Sequence, residues 1–439
     1  MFLLTLLAWP LGGAEVATAA HKQDWAAARA SVARKADVNA PEADGSTALL
    51  WASYRDNLDI AGLLIRAGGN VNAANDLGAT PLWAASLNGG AAMVRLLLEA
   101  GANPDAALLA GETPVMVAAR SGHAEVLEIL LAKAANPNAH GARGQTAIMW
   151  AAAQKHPDAV KVLLARGADV KARTDSWTAM MAVPPHGYPG YNKQIPHGAD
   201  TALLFAVRVG DIASAKLLIA AGADVNDADA WGVSATVLAA HSGFTGLVEL
   251  LLGKGADANA AKAGFTALHL AIVRRDEKMA AALLAHGANP NTPLLTWTPT
   301  RRSSRDFHFG PELVGATPFW MAARFSQPRV MRMLAERGAD PKFVHHSDIV
   351  AEKGFKRRST TSTVLMAATG MGGGAAWVEP PAKEREALAL ECVKLAAELG
   401  ADVNATDNSG RTALDGAKAL GYESVARFLA VTQASHAVP

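Results

Sequence analysis

A chain of 439 residues with 41 basic and 40 acidic side chains carries a formal net charge of +1, and half of it is hydrophobic. That balance excludes a polybasic design for nucleic acid or for an anionic membrane surface. The one cysteine, Cys392, excludes an internal disulfide. Its setting, Glu391-Cys392-Val393-Lys394-Leu395, reads as a small buried hydrophobe on a helix rather than a reactive thiol.

The chain opens on an apolar run, Phe2 to Leu11, closed by the small residues Gly12, Gly13 and Ala14. It is shorter than the about 20 residues that cross a bilayer, so no stable membrane insertion is expected. It reads as a secretory signal peptide over residues 1–14, although no Lys or Arg precedes it. Cleavage after Ala14 would leave a first helix over Val16 to Ala20 and a second over Asp24 to Val32 intact. An exported bacterial protein, periplasmic or secreted, is the resulting expectation, and the Ala-rich, disulfide-free composition suits it.

Residues 76–108 show the unit most plainly. Thr80 is placed to cap a helix, Pro81 suits its first turn, and Leu82 and Ala85 share one face. After the turn Asn88-Gly89-Gly90, Val94, Leu97 and Leu98 form the apolar stripe of a second helix, which Gly101 ends in the left-handed conformation. Two helices this short cannot bury their common face alone and must stack on copies of themselves.

The copies follow in order. The capping residue recurs at Thr47, Thr80, Thr113 and Thr146, 33 residues apart, and then at Thr201, Ser234, Thr266, Thr317, Thr363 and Thr412. The helix-ending Gly recurs at Gly68, Gly101, Gly167, Gly222, Gly255, Gly287, Gly338 and Gly400, with Lys35 and Ala134 in its place in two units. Together the series resemble the ankyrin repeat, with its T-P-L-H-x-A and G-A-D-x-N-A signatures at period 33. The resemblance covers about residues 16–430. It implies an all-α ankyrin-repeat solenoid of about 11 helix-turn-helix units, with residues 15–439 as a single array. The motif's His survives only as His269; Leu50, Trp83, Met116, Met149, Leu204, Val237, Trp320, Met366 and Asp415 hold the place elsewhere. Apolar packing is therefore expected to replace most of the hydrogen bonding at that position, with Trp83 and Trp320 packing between repeats.

Four insertions interrupt the period. Thr146 to Thr201 spans 55 residues, Thr266 to Thr317 spans 51 and Thr317 to Thr363 spans 46, so 22, 18 and 13 residues are added to three of the fingers that link repeats. These lie near residues 175–197, 292–313 and 342–360 and are expected as loops toward one groove. A fourth, near residues 370–386, separates the two helices of one unit and is expected to leave on a different edge. The last unit, Tyr422 to Leu429, reads as the terminal cap.

Long loops on a rigid array are candidates for binding, and Trp, Tyr and Arg dominate binding hot spots. The candidate partner-binding residues are Trp177, Tyr188, Tyr191, Trp297, Arg301, Arg302, Arg305, Phe307, Phe309, Lys356, Arg357 and Arg358. Residues 292–313 carry a net +1 and residues 342–362 a net +3, so an acidic patch on a protein partner is expected. No catalytic or metal site is assigned. His345-His346-Ser347-Asp348 lacks a second spaced pair of ligands, and the Asp residues of the Gly-Ala-Asp motifs already serve turns. The glycines from Gly370 to Gly374 precede no helix that could hold a phosphate, which leaves a flexible loop.

The resemblance implies a non-catalytic binding scaffold, needing no cofactor and expected as a monomer, similar to exported ankyrin-repeat proteins of bacteria. One alternative is a site for a small molecule or anionic glycan, or an enzyme, built from the inserted loops. Against it, the segments at 175–200 and 292–313 lie three repeats, roughly 30 Å, apart at ordinary helix spacing. The other alternative is a structural spacer.

Overall fold

The computed structural model describes residues 13–181, 192–298, 309–351 and 354–436. It divides into two compact units, residues 1–175 with 200–223 and residues 176–199 with 224–439.

The first unit stacks six helix pairs: α1 (Glu15–His21) and α2 (Trp25–Ala33), α3 (Ala48–Tyr54) and α4 (Leu58–Arg66), α5 (Pro81–Asn88) and α6 (Ala91–Glu99), α7 (Pro114–Ser121) and α8 (Ala124–Ala132), α9 (Ala147–Ala153) and α10 (Pro157–Ala165), α11 (Ala202–Val209) and α12 (Ile212–Ala220). The expected caps start them. The hydroxyls of Thr47, Thr80, Thr113 and Thr201 accept the N–H three residues on at 3.3, 3.2, 3.3 and 3.5 Å. Thr146 makes no such bond. The second helices end in the left-handed region, with φ of 88° at Gly68 and 90° at Gly101; Lys35 and Ala134 occupy it too, at 63° and 62°. The core lies between neighbouring pairs, where Leu49, Leu82, Val115, Ile148 and Leu203 of the first helices and Leu64, Leu97, Leu130 and Leu163 of the second are fully buried. Each such side chain stabilises by about 1.5–3 kcal/mol, which seven- to nine-residue helices need because alone they would not persist.

A ladder of side chain–backbone bonds ties successive fingers. Asn72 donates Nδ2 to the Gly101 carbonyl at 3.1 Å and accepts the Asn103 N–H on Oδ1 at 2.7 Å; Asn39 and Asn138 repeat the rung.

The second unit holds α13 (Ala235–Ser242) and α14 (Thr245–Gly253), α15 (Ala267–Val273) and α16 (Glu277–Ala285), α17 (Pro318–Arg324) and α18 (Pro328–Glu336), α19 (Val364–Ala368) and α20 (Arg385–Glu398), α21 (Ala413–Leu420) and α22 (Glu423–His436). It also holds two antiparallel ribbons, β1 (Ser176–Met181) with β2 (Lys193–Gly198), and β3 (Val344–Val350) with β4 (Arg357–Thr363). Two insertions expected as loops are thus β-hairpins. In the second, burial alternates along β3: His345 and Ser347 face inward while Val344, His346 and Asp348 face out. Opposite runs the Thr-rich β4, a composition that favours strands. β4 passes straight into α19, because Thr363 ends the strand and also caps the helix, accepting the Met366 N–H at 3.3 Å.

The ladder continues here across an insertion. Asn291 donates to the Gly338 carbonyl at 2.8 Å and accepts the Asp340 N–H at 2.9 Å, so the residues after Asn291 branch off without shifting the stack. At the next finger Lys342 stands where the Asn belongs. An ammonium offers no acceptor, and among the described residues no rung joins Lys342 to Gly400 or Asp402. The finger itself is already shaped for one, since the Lys342 N–H bonds Asp340 Oδ1 at 2.9 Å just as Asn291 bonds Asn289. Lys342→Asn is expected to stabilise this unit by about 1 kcal/mol, read as a higher urea midpoint at unchanged slope. A lower midpoint would mean the ammonium makes a contribution of its own.

Candidate interaction surface

The first hairpin reaches further along the unit than repeat spacing suggests. Its base is fixed where the Ala230 N–H bonds the Gly198 carbonyl at 2.9 Å, and Lys193 of β2 lies with Nζ 4.8 Å from the ring centre of Trp297. The expected 30 Å separation between these two insertions is therefore overturned, because a folded ribbon crosses a distance that a count of helix pairs ignores. Trp177 stacks on its cross-strand partner His197 at 5.6 Å and stays 40% exposed, and Met180, three residues along the same strand, is 63% exposed.

The described aromatics of the second insertion, Trp297 and Phe309, point inward. Trp297 is 8% exposed and Phe309 only 1%. Phe309 sits between Phe265 of a neighbouring finger (ring centres 5.5 Å apart), the motif's His269 (6.3 Å) and Trp377 of the fourth insertion (5.7 Å). Trp231 extends the cluster through Phe265 at 5.9 Å. Phe309 thus holds the insertions together from beneath and presents no surface to a partner.

Trp377 also corrects the course expected of the fourth insertion. It reaches both Phe309 and His241, at 5.7 and 6.1 Å, so this segment returns over the first helices to meet a finger. Nor is its glycine run a loose loop. Gly372, Gly373 and Gly374 all have φ above 70°, and a Cβ on Gly374 would lie 2.4 Å from Leu313, so the backbone is pressed against the core in a shape only glycine adopts. It presents carbonyls, not amides: Arg324 donates Nε to Gly373 and Nη2 to Gly374, each at 2.8 Å.

On the second hairpin Arg357 grips the Asp348 carboxylate through Nε, at 2.8 and 3.0 Å, and through Nη2. The hydrogen bonds from Arg357 hold that carboxyl below its ordinary range. Lys356 and Arg358 remain exposed. The outer edge of β4 is covered by the next finger, where Asn408 donates Nδ2 to the Ser359 carbonyl at 2.6 Å. Tyr188, Tyr191, Arg301, Arg302, Arg305 and Phe307 lie outside the described residues.

At the motif's His position Leu50, Met116, Met149, Leu204 and Val237 are buried apolar side chains, while the surviving His269 keeps its polar contacts. His269 Nδ1 meets the Thr266 hydroxyl at 2.8 Å, and Nε2 meets the Thr292 carbonyl in the next finger at 3.1 Å. Burial lowers its pKa to about 4. Trp320, fully buried, performs the second of these tasks with its indole, donating Nε1 to the Ser362 carbonyl at 3.2 Å. It also packs against His345 at 4.4 Å. His345 and His346 therefore point to opposite faces of β3, and burial lowers the His345 pKa. Cys392 is fully buried, which pushes its thiol pKa up.

Chemically, this unit offers exposed cations and a few exposed apolar side chains on insertions braced by a buried aromatic cluster. Sequence reasoning passed over the exposed Met180 and also Lys193, Phe265 and Arg324, the last three of which owe their places to contacts between different repeats. No helix among the described residues is long and apolar enough to cross a membrane.

Known proteins carry repeats similar to these. The family model described as Ankyrin repeats (3 copies) matches residues 17–108, 103–174 and 203–293. An ankyrin repeat-containing protein of Treponema pallidum (strain Nichols) is 39% identical over 104 residues, 23% of this chain and 35% of that protein. The chain thus spans about a third of the length of that relative. The crystal structure of the human ASB11 ankyrin repeat domain is 28% identical with a TM-score of 0.46, covering 55% of this chain and 98% of that domain.

Proposed function

We propose a binding function from one premise: this chain belongs to the ankyrin-repeat family, whose model it matches over more than half its length. Ankyrin repeats form a protein–protein interaction scaffold, generally a non-catalytic one. The finer reading is that the inserted fingers of the second unit grip a protein partner through an acidic face. One observation carries it: the insertions are braced internally, Lys193 on Trp297 and Phe309 on Trp377, yet leave Trp177, Met180, Lys356 and Arg358 at the surface. A surface already ordered before binding loses less entropy on capture, and its charges set orientation and on-rate. A mere spacer would not require this bracing.

Lys356→Glu with Arg358→Glu, two exposed positions that leave the Arg357–Asp348 pair alone, is expected to weaken partner capture tenfold or more at low salt. Thermal stability should stay within about 0.5 kcal/mol. Affinity purification with full-length bait, wild type beside the double variant, reads both; equal capture would remove the electrostatic part of the reading.

We also read residues 1–14 as an export signal that places the protein in the bacterial periplasm or outside the cell. Ala14 is the N-cap of α1, so removal of the run through Ala14 spares the first pair. A mature N-terminus at Glu15 is the expected sequencing result, and retention of Met1 would overturn it.

A further inference from the structure

In the second unit a cleft of about 230 Å³ opens between the ends of α17 and α21 and the fourth insertion. Its walls include Arg324, Ser326, Gly374, Glu379, Arg385 and Tyr422. Arg324 spends two donors on the Gly373 and Gly374 carbonyls; a guanidinium has five, so Nη1 and one Nη2 proton remain. Arg385 gives Nε to the Pro380 carbonyl at 3.1 Å and Nη2 to Glu379 at 2.7 Å. The Ser326 and Tyr422 hydroxyls make no hydrogen bond among the described residues.

The charged lining therefore comprises two guanidiniums and one carboxylate. Glu379 is the single acidic group that offsets Arg324, and it is bound to the other arginine. Arg324 is half-buried, and desolvation of its guanidinium lowers its pKa against the opposing effect of Glu379. Arg324 cannot swing out to water without releasing the two glycine carbonyls that fix the loop. The cleft is one negative charge short of balance, with donors left over to hold it.

We propose that this cleft binds a carboxylate, held by the free edge of the Arg324 guanidinium beside Arg385, with Glu379 as the resident anion that moderates its affinity. A planar carboxylate matches the guanidinium fork. The volume admits a short acid or an acidic side chain, not a polymer. The site goes beyond the proposed grip of the fingers, since it uses none of their exposed cations and would bind whether or not they engage a partner.

The test is isothermal titration of the full-length protein with sodium acetate and with N-acetyl-aspartate N-methylamide, against sodium chloride at matched ionic strength. Saturable millimolar binding of either probe is expected. Glu379→Gln, which removes the competing charge and leaves the loop's bonds to Arg324, should tighten it about tenfold. Arg324→Gln should abolish it, with the helical circular dichroism checked in parallel. Binding of acetate alone would identify a small acid as the ligand, and binding of the blocked aspartate would identify a peptide side chain. No saturable heat at 50 mM from either the wild type or Glu379→Gln, or equal affinities for the two proteins, would overturn the proposal.

Discussion

Phe309→Ala should destabilise the second unit by about 3–5 kcal/mol, the range for emptying a buried aromatic site. The ring is 1% exposed and contacts Phe265 and His269 of one unit and Trp377 of the fourth insertion, two segments far apart in the chain. The cavity cannot collapse easily, because helices capped and laddered at both sides fix the spacing between repeats. Each aromatic pair adds about 0.5–1.5 kcal/mol beyond the area it buries. The loss should appear as a lower urea midpoint, together with faster proteolysis of the segment around Trp377, which would lose its main anchor. Trp177→Ala, at a 40% exposed position, supplies the contrast and should cost under about 1 kcal/mol. Were Phe309 instead a partner anchor, as its sequence position suggested, its removal would weaken capture and spare stability. A change below 1 kcal/mol for Phe309→Ala would dissolve the cluster as a structural element.

The second large effect is acid sensitivity from His269. In the folded protein burial holds its pKa at about 4, while the free side chain titrates near 6.5. The unfolded chain therefore takes up the proton first. Stability from this group is complete above pH 6.5 and falls as pH drops from 6.5 toward 4, because protonation there favours the unfolded state. At about 1.4 kcal/mol for each pH step the loss by pH 4 amounts to roughly 3 kcal/mol. Structurally, the proton would have to enter between Thr266 and the Thr292 carbonyl, where Nδ1 and Nε2 are already engaged. His269→Gln should lower stability at pH 7 and flatten its dependence between pH 6.5 and 4. A residual slope is expected from His345, whose pKa burial also lowers. Denaturation at a series of pH values measures this, and identical slopes for wild type and variant would sink the assignment.

The two effects meet at one place, since His269 and Phe309 touch. The Thr266–His269 pair and the inserted segment are thus one mechanical element, and acid that strains the first should loosen the second. Partner capture through the fingers would then weaken with falling pH for a reason unrelated to their own charges.

What the residues alone determined is everything whose cause is local. A Thr hydroxyl capping its own helix, a Gly ending the next one and an apolar stripe at helical spacing act within a dozen residues. Their recurrence therefore announced eleven helix pairs, and even Lys35 and Ala134 were placed correctly in the left-handed turn. Tertiary structure alone decided the fate of the insertions. β3 carries polar residues on both faces and β4 is polar throughout, so no clean apolar alternation marks an inner face, and the inward turn of His345 and Ser347 depends on Trp320 waiting in another repeat. Phe309 and Trp297 look like exposed anchors in the sequence, yet they are buried because Phe265, Trp377 and Lys193 arrive from elsewhere to cover them. The carboxylate cleft likewise has no motif, for Arg324 and Arg385 acquire their shared task only once the glycine segment folds back between them. Periodic neighbours need only the stacking rule to find each other, whereas contacts between insertions obey no period and are fixed by shape and charge after the stack has formed.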